Sequence, residues 1–176
     1  MSRATPLSVT VTKVIDADPQ TIYQLISDIE QMGTYSPETV SAEWLDGADG
    51  PVEGARFKGT NAIGSMRWST KPVVTVADPG GEFAFRVPGR ADTRWSYVLE
   101  PLEALDSTGA SKLVTESVQQ AKPSPFPIRL LQRRAGVTDR ADHLRAGMAT
   151  TLDRLAETAQ AMPARPTAPQ REHSPR

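Results

Sequence analysis

The sequence predicts an α+β fold in which a curved antiparallel sheet grips a long C-terminal helix. Three observations carry this expectation. The middle of the chain is a run of short strand patterns separated only by turn residues, one long amphipathic helix pattern follows it, and a shorter helix pattern interrupts the series after the first strand. Consecutive strands with tight turns and no helix between them pair as an antiparallel meander. Strands grouped together, with helices set apart from them, make an α+β layout.

Taken in order, Val9, Val11, Lys13 and Ile15 alternate with period two and predict the first strand. It stops at Asp16-Ala17-Asp18-Pro19, where Asp18 suits a helix N-cap and Pro19 the first helical position. Ile22, Leu25, Ile26 and Ile29 then recur at helical spacing, predicting a short amphipathic helix over residues 19–31, with Gly33 and Ser36-Pro37 as breakers. Residues 40–45 read as a strand ending at Asp46-Gly47, and residues 56–63 as one ending at Gly64-Ser65. Residues 66–77 run to Asp78-Pro79-Gly80-Gly81, Glu82–Val87 to Pro88-Gly89, and residues 92–100 to Pro101, before residues 112–120 close the series. With the first strand these make a seven-stranded sheet, and a sheet of that length must curl.

The last element carries the clearest pattern. Leu144, Met148, Leu152, Leu155, Ala159 and Met162 follow spacings of four and three, which places them on one stripe of a long helix. Thr138 or Asp139 can cap its start, and Arg140, Arg145, Asp153, Arg154 and Glu157 fall mostly off the stripe. The economical arrangement curls the sheet around this helix. Residues 163–176 contain four prolines and no periodicity, so a disordered tail is expected there, and residues 1–7 are expected to be a flexible lead into one domain over 8–162.

Bulk properties exclude several function classes. At 176 residues the chain fits one domain, large enough to bury roughly 70% of its unfolded surface without a staple. It has no cysteine, so neither disulfides nor thiolate metal sites arise, which fits a reducing compartment. The opening residues hold no apolar run of signal-peptide length and no stretch nears the ~20 apolar residues that span a bilayer, so a cytoplasmic protein is expected. Lys and Arg number 20 against 21 Asp and Glu, so the chain lacks the basic field of a nucleic-acid binder. His143 and His173 alone cannot build a metal site or a histidine-centred triad, and no cofactor is expected.

Eight of the ten aromatic residues lie between Tyr35 and Tyr97, and within strands they keep parity. Trp95 and Tyr97 share a face with Thr93 and Leu99, Phe83 and Phe85 with Val87, and Trp68 with Met66 and Thr70. Any one of them can be ordinary core. Together with Asn61, Thr70 and Thr115 on faces read as inward, they describe an interior of mixed polarity, the kind of lining that ligand cavities use.

The segments 15–19, 23–29 and 35–38, followed by Trp44-Leu45-Asp46-Gly47, residues 54–61, Arg67-Trp68-Ser69-Thr70, Phe83-Ala84-Phe85, Trp95-Ser96-Tyr97 and Val114-Thr115-Glu116-Ser117, carry a family resemblance. With Gly147-Met148 and residues 152–155 they make the chain similar, over residues 8–162, to the START-like or SRPBCC superfamily, in its polyketide cyclase/dehydrase-like, uncharacterised actinobacterial-type branch. That resemblance implies a helix-grip fold with a cavity between sheet and terminal helix. The cavity would take a small apolar ligand such as a lipid or polyketide, and Phe57, Asn61, Trp68, Phe83, Phe85, Trp95, Tyr97, Thr115 and Met148 are the candidate contacts. Because one fold serves many functions, two other classes stand beside a binding protein: a polyketide aromatase/cyclase or dehydratase, and a protein-interaction module with a vestigial cavity.

Cyclase chemistry would need groups that polarise a ketone and move a proton. Arg86, Glu116, Asn61, Tyr97 and the Trp68 indole are the candidates, with Asp28, Glu30 and Glu38 near the expected mouth read as solvated. By parity Arg86 and Glu116 read as outer-face charges, and Asn61 as inward, either a structural hydrogen-bonder or a ligand contact. In residues 122–137, three prolines end the last strand and a short piece then mixes Phe126, Ile128, Leu130 and Leu131 with Arg129, Arg133 and Arg134. At a family cavity entrance, Phe126–Arg134 would act as a lid that also touches anionic membrane or a partner protein. A packed connector with a solvated basic edge is the plain alternative, and monomer and homodimer both stay open.

Overall fold

A computed structural model describes residues 5–102 and 111–163. The expected tail from residue 164 onward and the first four residues of the expected flexible lead lie outside the described residues. The chain runs through β1 (Ser8–Asp16), α1 (Pro19–Ser27), a 3-10 turn (Ile29–Gln31), α2 (Met32–Tyr35), β2 (Thr39–Trp44), β3 (Phe57–Ile63), β4 (Met66–Thr70), β5 (Val73–Asp78), β6 (Glu82–Val87), β7 (Thr93–Pro101), β8 (Ser111–Gln120), α3 (Phe126–Arg134) and α4 (Arg140–Ala161).

The α+β layout of antiparallel strands and a long C-terminal helix is as expected, with eight strands where seven were expected, in two sheets ordered β1-β8-β7-β6-β5 and β2-β3-β4. The segment read as one strand over 66–77 breaks at Lys71-Pro72, because proline offers no ladder N–H. The chain turns the corner there without losing the wall. The Pro72 carbonyl accepts from the Phe57 amide at 3.2 Å, and Val74 and Ala55 stay bonded across the seam, Val74 N–H to Ala55 O at 2.9 Å. The sharp bend lets the small sheet fold over the open side of the large one, which is what creates an interior.

The early helix is also shorter than expected. Asp18 caps α1 by accepting from the Thr21 amide at 2.9 Å, and Pro19 leads it, but it ends at Ser27. Asp28 leaves helical geometry and caps the following 3-10 turn. Gly33, expected as a breaker, lies within α2. A Cβ there would sit 3.1 Å from the Val40 carbonyl oxygen, so its role is to let the β2 backbone approach.

α4 is capped by Asp139, which accepts from the Ala141 and Asp142 amides at 2.8 and 3.1 Å. Leu144, Met148, Leu152, Leu155 and Ala159 are buried as a stripe, and Arg145 and Arg154 are exposed, as the spacing predicts. Met162 lies past the last helical residue and is 45% exposed, so it leaves the stripe. The stripe's lower half joins Ile22, Ile26, Phe83, Leu99 and Val114 in the main core, while Leu144 and Met148 join Val9 and Val118 in a smaller cluster. Each fully buried Leu, Ile or Phe contributes roughly 1.5–3 kcal/mol relative to exposure.

Candidate functional site

Above the main core, α4 stands away from the inner sheet faces and leaves a cavity of about 530 Å³. That lies within the ~300–1,000 Å³ range of small-molecule sites. Phe57, Asn61, Trp68, Phe83, Phe85, Trp95, Tyr97 and Met148, all expected as contacts, meet on its wall. They come from β3, β4, β6, β7 and α4, so no one element could have built the site. Thr70 lines it too.

The aromatic wall crosses the seam between the sheets. Trp44 meets Phe57 edge-on at 5.6 Å between ring centroids, Phe57 meets Phe85 edge-on at 5.2 Å, and Phe85 stacks on Trp95 at 6.5 Å. Phe83 tilts against Phe85 at 6.0 Å. Edge-to-face and offset arrangements suit the ring quadrupoles, so the rings form one packed apolar wall. Asn61 is half-buried and its Oδ1 accepts from the Thr39 hydroxyl at 3.4 Å, leaving the amide to face the same space as its neighbours.

Thr115 is a correction. It pairs across from Thr12 and Val98 on the outer face and does not reach the cavity. Its neighbour Glu116, read as an outer-face charge, points inward instead and is 2% exposed. The physical reason is visible in β8: Val114 and Val118 have the parity of Glu116, and burying two valines outweighs the preference of one carboxyl for water. Arg86 lies on the outside as expected, with Nε 2.5 Å and Nη2 2.6 Å from the two Asp92 oxygens.

Glu116 lines the cavity opposite Tyr97, its cross-strand partner in the β7–β8 ladder. The Tyr97 hydroxyl donates to Glu116 Oε1 at 3.0 Å, while Glu116 Oε2 is buried and has no hydrogen-bond partner among the described residues. Burial pushes the Glu116 carboxyl up to about 8, and the Tyr97 hydrogen bond pulls it only partway back. Burial, then the Glu116 charge, hold the Tyr97 phenol well above its ordinary value. At neutral pH the pair is therefore mainly a neutral acid beside a neutral phenol. A protonated Oε2 can donate to a guest, and a buried polar atom without a partner costs about 1–3 kcal/mol until one arrives. The Tyr23 hydroxyl is also buried and unpartnered, but Tyr23 is not on the cavity wall.

A second polar cluster closes the rim near α2. Glu38, expected to be solvated, is largely buried and takes both Arg140 guanidinium nitrogens, one on each oxygen, with Nη2–Oε2 at 2.8 Å. His143 Nε2 lies 3.0 Å from the same carboxylate. The partners are 102 residues apart, so no local pattern reveals them. The pair ties the α2–β2 connection to the first turn of α4, and Glu38 and Arg140 both line the cavity. Asp28 caps the 3-10 turn and Glu30 is exposed; neither reaches the cavity. No described helix is long and apolar enough to cross a membrane.

Comparison with known proteins agrees with this architecture. The structure resembles a START superfamily protein from Mycobacterium smegmatis (TM-score 0.62, 16% identity, 86% of this chain and 97% of that one). It resembles equally a ginseng major latex-like protein from Panax ginseng (TM-score 0.62, 13% identity, 89% and 99%). A polyketide-cyclase-like protein of Corynebacterium glutamicum shares 28% identity at a TM-score of 0.52, covering 89% of this chain and 91% of that one. No curated protein matches. The family model described as polyketide cyclase/dehydrase and lipid transport matches residues 6–160, nearly the whole described domain, and the chain belongs to that family.

Proposed function

We propose that the protein binds a small, largely apolar molecule, a lipid, polyketide or similar metabolite, that carries at least one hydrogen-bonding group. The observation that carries this reading is the Glu116–Tyr97 pair set into an otherwise aromatic and aliphatic wall. An apolar guest gains from burial against Phe57, Phe85, Trp95 and Met148. A ketone or hydroxyl on it would accept a hydrogen bond from a protonated Glu116 Oε2, the buried atom that has no partner among the described residues. The family's association with cyclisation, dehydration and lipid transport supports the same class of guest. The test is organic extraction of the natively purified protein followed by mass spectrometry. A co-purifying apolar molecule in near-stoichiometric amount supports the reading; an empty extract, with no binding across a panel of lipids and polyketides, removes it.

A second reading, a cyclase- or dehydratase-type enzyme, is favoured by the same pair. A carboxyl held near 8 keeps its proton at neutral pH and can still give it up, as a general acid must. Tyr97 would hold the carboxyl in place through Oε1 while Oε2 meets a substrate carbonyl. Turnover of a linear poly-ketone that is lost in Glu116→Gln, with ligand binding retained, would move the protein into this class.

A further inference from the structure

We propose that the outer face of α3 docks onto an anionic phospholipid bilayer, setting the mouth of the cavity against the membrane surface. α3 is nine residues long, FPIRLLQRR, and buries none of them. Its two sides differ. Ile128, Leu131 and Gln132 line the main cavity. Phe126, Leu130 and Arg133 recur at spacings of four and three, so they share the other side. There, with Arg129, they wall a second hollow of about 300 Å³ that also includes the buried Val137, with Gln132 and Arg140 bordering both spaces.

Half of the large hydrophobic side chains exposed among the described residues fall in this one helix, with Phe126 69% exposed. That is a concentration, where scattered single residues would need no explanation. The charge is equally uneven. The chain carries no carboxylate between Glu116 and Asp139, a stretch that holds Lys122, Arg129, Arg133 and Arg134. None of the three arginines has an ion-pair partner among the described residues, nor do Arg67 and Arg90, exposed residues on the cavity wall where it meets solvent. The whole chain has a net charge of −1, so the basic excess of this stretch is local in the sequence.

Exposed apolar residues interleaved with unpaired arginines on a short helix match an interfacial helix. The apolar groups enter the headgroup boundary and the guanidinium groups pair with phosphates. An acidic protein would answer the arginines but leave Phe126 and Leu130 without a comparable partner. The inference stands whether or not the cavity binds the guest proposed above.

The test is flotation of the full chain with vesicles of phosphatidylcholine alone and of phosphatidylcholine with roughly one-third phosphatidylglycerol. Binding is expected only with the anionic vesicles, and it should weaken as salt rises. The Arg129→Ala, Arg133→Ala, Arg134→Ala triple variant should partition on the order of 100-fold more weakly. The Phe126→Ser, Leu130→Ser variant should also lose binding. All five side chains are exposed, so both variants are expected to keep the parent melting temperature. Equal binding to the two vesicle types, no binding by the parent chain, or parent-level binding by either variant would overturn the proposal.

Discussion

Tyr97 and Glu116 face each other across β7 and β8, and the phenol donates to Glu116 Oε1 at 3.0 Å while Oε2 has no partner among the described residues. A buried acid in that position ties stability to pH. Unfolded, the carboxyl ionises at its ordinary value of 4.5; folded, it holds its proton up to about 8. The folded state therefore binds the extra proton inside this window. The contribution is fully present below 4.5 and is lost as pH rises through 8. The slope is about 1.4 kcal/mol per pH unit within the window. Denaturant unfolding at pH 5 and pH 8 should show a larger loss of stability for the parent than for Glu116→Gln, which cannot titrate. Equal losses would mean that Glu116 is ionised in the folded protein.

Tyr97→Phe removes the hydrogen bond that Glu116 receives from the Tyr97 hydroxyl and keeps the ring that packs in the core. The expected cost is about 1–3 kcal/mol, the range for stranding a buried polar partner. The Glu116 titration should also move further up, because the interaction that lowers it has gone. Carboxyl-edited NMR of the parent and the variant reads that shift directly, and an unchanged or lower titration point would count against the assigned geometry.

Leu152 is fully buried on the α4 stripe, so Leu152→Ala should cost about 2–5 kcal/mol. Met162→Ala, beyond the helix end and 45% exposed, should fall within about 0.5 kcal/mol of the parent. Thermal unfolding of the two variants separates the positions. Comparable costs would contradict the helix phase described here.

Arg140→Ala breaks both bonds to Glu38 and leaves a largely buried carboxylate with His143 as its remaining neighbour. The expected cost is about 1.5–3 kcal/mol, the range for hydrogen bonds to charged groups. Arg145→Ala breaks an exposed pair with Asp142 on the same helix and should change stability by less than ~1 kcal/mol. A double-mutant cycle over Arg140 and Glu38 should give a clear coupling energy, and a coupling near zero would show the rim pair to be incidental.

How much of this was legible depends on whether the determining force is local. The α4 stripe, the Asp18-Pro19 helix start and the inward parity of Trp95 and Tyr97 all follow from periodicity and capping, which a few neighbouring residues decide. Lys71-Pro72 carried a local signal as well: proline within a strand pattern demotes it, and reading through it merged β4 with β5. Taking Thr115 and Ser117 as the inward face of the last strand turns Glu116 outward, although Val114 and Val118 share the parity of Glu116 and are buried. The pairing of Glu38 with Arg140 was not legible at all, since its partners lie 102 residues apart in the sequence, with nearly every strand between them. The strand faces could place the aromatic wall, but the empty volume between that wall and α4 arises only when the sheet bends at the seam.

Titration with an environment-sensitive apolar dye, in the parent chain and in Gly59→Leu and Trp95→Arg, measures whether a guest enters the space between the sheet and α4. Gly59 lines the cavity, and a Cβ there would make ordinary contact with Thr70 Oγ1 at 3.7 Å, so leucine fills space without forcing the backbone. Trp95→Arg sets a charge into the aromatic wall. The expected result is saturable binding of about one dye per chain in the parent, displaced by added fatty acid or polyketide, and lost in both folded variants. Absence of saturable binding in the parent, or undiminished binding in both variants, would contradict a ligand site between the sheet and α4.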